Sequence, residues 1–221
     1  TDNCPGLAIT QIGGLASGST FPLGVTTNTF VAVDSSGNTD TCSFTVTVQD
    51  QELPVINCVS NIVVSNDSMV CSAVVFFASP TATDNCPGQV ISQTTGLTSG
   101  ATFPVGVTTN TYVVTDAAGN TATCSFDITV NDDENPLFNC PSNITVNSSP
   151  GQCSAAVTYS VSVTDNCPGV TSTQTAGLPS SFTFNVGTTT NTYVATDAAG
   201  NTSTCTFDVI VVDNQVPTIA C

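Results

Sequence analysis

The chain has 221 residues and carries 16 Asp and Glu against no Lys, Arg or His, a formal net charge of -16. Without cations it cannot neutralise phosphates, which excludes nucleic-acid partners. Schiff-base lysines, Ser-His-Asp and Cys-His catalysis and His-ligated metals are excluded with them.

Hydrophobic residues make up 40% and charged residues 7%, enough apolar surface for packed cores. No apolar run reaches the roughly 18 residues of a membrane-spanning helix, and the opening Thr1-Asp2-Asn3-Cys4 is no signal peptide. Eleven cysteines suggest disulfides and an oxidising compartment.

In chain order, the first alternating segment is Cys42-Phe44-Val46-Val48, a half-buried strand with its cysteine on the core-facing side. Next come Asn61–Ser65 and Cys71–Phe77, which read as a hairpin across Asn66-Asp67-Ser68-Met69. Val90–Thr94 adds a middle strand, and Phe103-Pro104-Val105-Gly106 turns into the next. Asn110–Asp116 then leads through Ala-Ala-Gly-Asn, a turn with Gly119 and Asn120 open to positive φ, into Cys124–Val130.

This series repeats. Cys4, Cys86 and Cys167 lie 82 and 81 residues apart, and Cys42, Cys124 and Cys205 keep the same intervals, as do Cys58, Cys140 and Cys221. TDNCPG recurs at Thr1, Thr83 and Thr164. A period of about 82 residues with short strands between frequent turn signals predicts tandem all-β units, each an antiparallel β-sandwich, with no helices. The expected boundaries are a partial unit over 1–50, complete units over 51–133 and 134–214, and the start of a further repeat at 215–221. Both termini fall inside the repeat, which leads us to expect a longer natural protein.

The string CPSNITV…GQCSAAVTY…TDNCPG…FNVGTTTNTYVATDAAGNTSTCTFDVIVVD resembles the HYR (hyalin repeat) module. The resemblance implies an immunoglobulin-like sandwich found in secreted and cell-surface proteins, with adhesive or matrix roles and no catalysis. Two departures stand out: the second unit has Cys58-Val59 where the third has Cys140-Pro141, and the first lacks its opening hairpin.

Strand direction places Cys86 and Cys124 at one end of a sandwich, favouring the pairs Cys4–Cys42, Cys86–Cys124 and Cys167–Cys205. For the remaining class, a local Cys58–Cys71 bridge competes with inter-domain bridges Cys71–Cys140 and Cys153–Cys221. A regular hairpin register favours the inter-domain set, and the local bridge stays open. A metal reading of the cysteines needs a close cluster such as CxxC, and the sequence has none.

Carboxylates recur at three places per unit: TDNC (Asp84, Asp165), the TDAAGN turn (Asp116, Asp197) and the junctions (Asp50, Glu52, Asp132, Asp133, Glu134). Converging at one end of a sandwich, they could supply oxygens to Ca²⁺, which takes about six to eight. The competing reading is that each Asp caps backbone N–H groups of its own turn. Asn66, Asn143, Asn147 and Asn201 open N-x-S/T sequons.

The expected function is therefore a structural or adhesive extracellular or cell-surface array. Its rigid sandwiches form a rod or fibril, polymeric with copies of itself through strand addition or end-to-end contacts. The alternative is an adhesion module binding glycans or cell-surface proteins.

Overall fold

The computed structural model describes Thr1, Asn3 and residues 5–219. Its described residues are strands, turns and loops, without a helix. They form two compact units: residues 1–58 with 80–94 and 112–124, and residues 59–79 with 95–111 and 125–221.

In the first unit, β1 (Ala8–Gly13), β2 (Gly24–Val33) and β3 (Thr39–Val48) form an antiparallel three-stranded sheet. β4 (Val55–Asn57) and β7 (Thr81–Thr83) pair antiparallel. β5 (Ile62–Ser65), β6 (Ser72–Val74), β8 (Val90–Thr95), β9 (Thr102–Pro104), β10 (Gly106–Thr115) and β11 (Thr121–Asn131) complete the second repeat. They are arranged as a β5-β11-β10-β8 sheet and a β6-β9 pair.

The third repeat lies within the second unit and duplicates this plan. Its strands are β12 (Leu137–Asn139), β13 (Ile144–Asn147), β14 (Ser154–Ala156), β15 (Ser162–Thr164), β16 (Thr171–Ala176), β17 (Thr183–Asn185), β18 (Gly187–Thr196) and β19 (Thr202–Val212). They form a β13-β19-β18-β16 sheet with β12-β15 and β14-β17 pairs. Along β19, Cys205, Phe207, Val209 and Val211 all point inward, the period of two that a strand with one buried face requires. They pack against Ala155, Val157 and Phe184, and Tyr159 meets Phe207 edge-on at 4.8 Å.

The expected hairpin over 61–77 is not formed. β5 runs parallel to β11, Ile62 opposite Ile128, while β6 pairs with β9. The chain turns after β5, with Asp67 N donating to Ser72 O at 2.7 Å, and changes sheets. Alternation marks a strand as half-buried but carries no information about which neighbour it takes. The β18–β19 hairpin and its counterparts form as expected, with Gly119 at φ +95°, although Asn120 is not among the residues of positive φ.

Losing that hairpin changes the disulfides. Those formed are Cys58–Cys124, Cys71–Cys167 and Cys140–Cys205. The expected Cys86–Cys124, Cys167–Cys205, Cys71–Cys140 and Cys58–Cys71 bridges are all replaced. Cys58 directly follows β4 and reaches Cys124 in β11, and Cys140 repeats this after β12. Cys71, carried by the sheet-changing turn, meets the TDNC cysteine of the next repeat. Among the described residues Cys42, Cys86 and Cys153 carry no bridge; the expected Cys4–Cys42 and Cys153–Cys221 pairs fall on Cys4 and Cys221, which lie outside the described residues.

Candidate cation sites at the repeat junctions

The connection out of each long closing strand, β3 or β11, enters the next repeat through an acidic segment. In the first unit Asp50, Asp84 and Cys86 bring ligand atoms within 4.8 Å of one another. Asp84 Oδ1 accepts from Cys86 N at 2.8 Å, the Asx turn that TDNC favours, while its Oδ2 is buried with no hydrogen-bond partner. Asn120 Nδ2 donates to Asp50 O at 3.3 Å. Burial and then the neighbouring Asp50 push the Cys86 thiol up, so it stays protonated.

The second unit repeats the arrangement with Asp132, Asp165 and Cys167. Asp132 is buried and accepts from Asn166 Nδ2 at 3.1 Å, while Asn201 Nδ2 donates to its carbonyl at 2.9 Å. Asp165 Oδ1 accepts from Cys167 N at 2.9 Å, and its Oδ2, like that of Asp84, is buried and unpartnered. Cys167 is spent on its disulfide, so carboxylate oxygen is the donor type this cluster offers.

The other expected ligands do not join these pairs. Asp116 Oδ1 accepts from Ala118 N and Asn120 N at 2.9 and 2.7 Å, and its Oδ2 from Asn120 Nδ2 at 2.7 Å. Asp197 does the same for Gly200 and Asn201. Burial pulls both carboxyls upward, but the donors of these turns outweigh it and hold them below the usual carboxylate value. For these two residues the turn-capping reading wins. Asp133 accepts from Ser65 Oγ, and both Glu134 oxygens accept from Met69 N at 3.0 and 2.9 Å, holding the turn that carries Cys71. Glu52 is exposed, its N–H donating to Asp50 Oδ1 at 3.1 Å.

Among the sequons, Asn66 Oδ1 accepts from Asp133 N and Asn143 Oδ1 from Asp208 N. The Asn201 amide donates to Asp132 O and Asp197 Oδ2, whereas Asn147, closing β13, is exposed.

Sequence reasoning passed over a polar clasp present in every repeat. Asn28, Asn110 and Asn191 are buried, and their Oδ1 atoms accept from Leu15 N, Leu97 N and Leu178 N at 2.8, 2.8 and 2.9 Å. Gln11 and Gln174 donate to Asn28 and Asn191 at 3.1 Å. The preceding glycine of each repeat has positive φ, and a Cβ on Gly177 would fall 2.1 Å from Asn191 Oδ1. The recurrence of a Gln, a Gly-Leu step and TTNT in each repeat was the signal that could have revealed it.

The HYR domain family model matches residues 1–48, 49–130 and 131–211. Hyalin of Strongylocentrotus purpuratus is 36% identical over 211 residues, covering 91% of this chain and 18% of that protein. Hyalin of Lytechinus variegatus is 35% identical, covering 100% of this chain and 43% of that protein, so the chain spans less than half of either relative. The serine-rich adhesin for platelets of Staphylococcus aureus is 31% identical over 62% of this chain and 7% of its own length. With three matched segments running from residue 1 to 211, this chain belongs to the HYR domain family.

Proposed function

We propose that this chain is a structural and adhesive segment of an extracellular assembly, in which consecutive HYR repeats are joined covalently and the array associates with copies of itself. The observation that carries this reading is Cys71–Cys167, a bridge from the second repeat to the third. A bond spanning a repeat boundary passes tension from one sandwich to the next without relying on a small interface. Relatives named hyalin and a platelet adhesin support an adhesive role over a catalytic one. The location is extracellular or at the cell surface, as the disulfides and the HYR repeats require.

A divalent cation, Ca²⁺ by its preference for oxygen, belongs to the same proposal. Asp132 with Asp165, and Asp50 with Asp84, are like charges brought close in a chain without a basic side chain. The unpartnered Asp84 and Asp165 oxygens add donors that nothing else satisfies. Asp132, Asp165, Asp50 and Asp84 would hold the ion, which supplies the positive charge that draws the entering segment onto the TDNC turn.

Bead aggregation tests the adhesive reading. Beads coated with the oxidised protein should clump in Ca²⁺ and disperse after reduction. Beads that stay dispersed in Ca²⁺, as albumin-coated ones do, contradict it.

A further inference from the structure

The turn that carries Cys71 is held from outside itself. Asp67 N donates to Ser72 O at 2.7 Å and Val70 N to Asp67 O at 3.2 Å, which bends the chain tightly after β5. Met69, inside the bend, sits at φ +64°, a conformation that a residue with a Cβ resists. Its counterpart one repeat later is Gly151 at φ +73°, where no Cβ stands in the way. Met69 is 82% exposed, so packing does not fix it. Contacts from the next repeat do. Met69 N donates to both Glu134 carboxylate oxygens at 3.0 and 2.9 Å, and Asn166 Nδ2 donates to Val70 O at 3.4 Å.

The turn before Cys153 is gripped in the same way. Gln215 holds the position of Glu134, and its Oε1 accepts from Gly151 N at 3.1 Å while its Nε2 donates to Ser149 O at 3.1 Å. Cys153 is the counterpart of Cys71 and carries no bridge among the described residues, yet the grip on its turn is in place. The grip therefore does not depend on the disulfide. Loop closure alone would send Cys71 elsewhere, since Cys58 is thirteen positions away and Cys167 is 96. Closure becomes rarer as about the three-halves power of loop length, so an unfolded chain favours Cys58 about twentyfold. The native bridge reverses that preference, and the gripped turn is where the reversal can arise.

We propose that Glu134 and Asn166 form a latch that seats the Cys71 turn on the next repeat before oxidation, and so directs Cys71 to Cys167 instead of Cys58. Glu134 is a positioning residue that acts through the Met69 backbone. The bridge then forms by thiol–disulfide exchange. Two thiols lose two protons and two electrons to one low-molecular-weight disulfide, such as oxidised glutathione, which leaves as two reduced thiols. Seated together, Cys71 and Cys167 react at the effective concentration of a folded pair, not at that of a long open loop. Gln215 is the same latch built with an amide, so either side chain serves at this position. The inference rests on the covalent junction proposed above.

Two measurements test the latch, both in EDTA so that neither depends on a bound cation. In the first, the reduced chain refolds in a glutathione redox buffer, and acid-quenched samples are mapped for the partner of Cys71. The wild type should give Cys71–Cys167 as the main early product. Glu134→Ala should lower the ratio of Cys71–Cys167 to Cys71–Cys58 about tenfold, toward the preference of loop closure, and Glu134→Gln should restore it. The second uses the oxidised chain with Cys71→Ser and Cys167→Ser, which keeps Cys58–Cys124 and Cys140–Cys205. There the Met69 amide should stay protected from hydrogen exchange. Adding Glu134→Ala should speed its exchange about tenfold and leave the Gly151 amide, held by Gln215, unchanged as the control for folding. A ratio unmoved by Glu134→Ala with Cys167 still the partner, no rescue by Glu134→Gln, or a Met69 amide that exchanges freely once the bridge is gone would overturn the latch alone. Wild-type Cys71 ending on Cys58 would overturn the latch and the covalent junction together.

Discussion

Asn191 sits at the centre of its repeat's clasp, fully buried, with Leu178 N and Gln174 Nε2 both donating to one oxygen. Replacing it with alanine leaves the part-buried Leu178 N–H without its acceptor. Asn191→Ala should cost about 1–3 kcal/mol in denaturant unfolding. Gly177→Ala should also destabilise, since it demands positive φ and places a methyl against the same oxygen. An unchanged midpoint for both variants would show the clasp to be ornamental. The clasp was hidden in the sequence because Asn and Gly there look like ordinary turn residues, and only the fold brings Asn191 to Leu178.

The two capping carboxylates make a pH prediction at the same scale. Asp116 and Asp197 are held below their unfolded value of about 3.9, so the stability they add is present above it. It is lost as pH falls through their lowered folded values. In melts from pH 7 to 2, Asp197→Asn should start below the wild type, and the gap should narrow at the acid end. A constant gap would mean that the charge of this carboxylate contributes nothing to the turn.

Among the strands, equivalent positions should respond unequally. Phe207 is enclosed by Ala155, Phe184 and Val209, so Phe207→Ala should cost about 3–5 kcal/mol. Phe44→Ala, at a side chain 54% exposed, should stay within about 0.5 kcal/mol. Equal losses would mean that the first sheet is covered in solution. The existence and facing of the long strands were legible because Cys205, Phe207, Val209 and Val211 alternate so cleanly. Partnership was not. β5 and β6 are short, adjacent and separated by turn residues, which describes a hairpin and a sheet change equally well. Only the pairing of Ile62 with Ile128 separates the two.

For the whole molecule, a charge of -16 with no opposite sign makes the folded state sensitive to cations. Millimolar Ca²⁺ should raise the melting temperature more than Na⁺ of equal ionic strength, and Asp132→Asn with Asp165→Asn should reduce the difference. A ligand at about 100 times its Kd adds about 2.7 kcal/mol, well within reach of calorimetry. Identical Ca²⁺ and Na⁺ curves would reduce the acidic pairs to screened surface charge. The period of the array was plain from cysteine spacing, since equal intervals establish equivalence. Spacing could not choose partners, because that depends on which sheet carries Cys58 and on where the turn after β5 delivers Cys71.

That choice of partners underlies the picture of covalently joined repeats, and disulfide mapping of the unreduced protein tests it most directly. The chain has no Lys or Arg for trypsin, so cleavage falls at Asp and Glu, followed by electron-transfer fragmentation. The expected result is Cys71 linked to Cys167, with Cys58–Cys124 and Cys140–Cys205 beside it. Recovery of Cys71 bound to Cys58 would confine the bridge to one repeat and contradict the covalent junction.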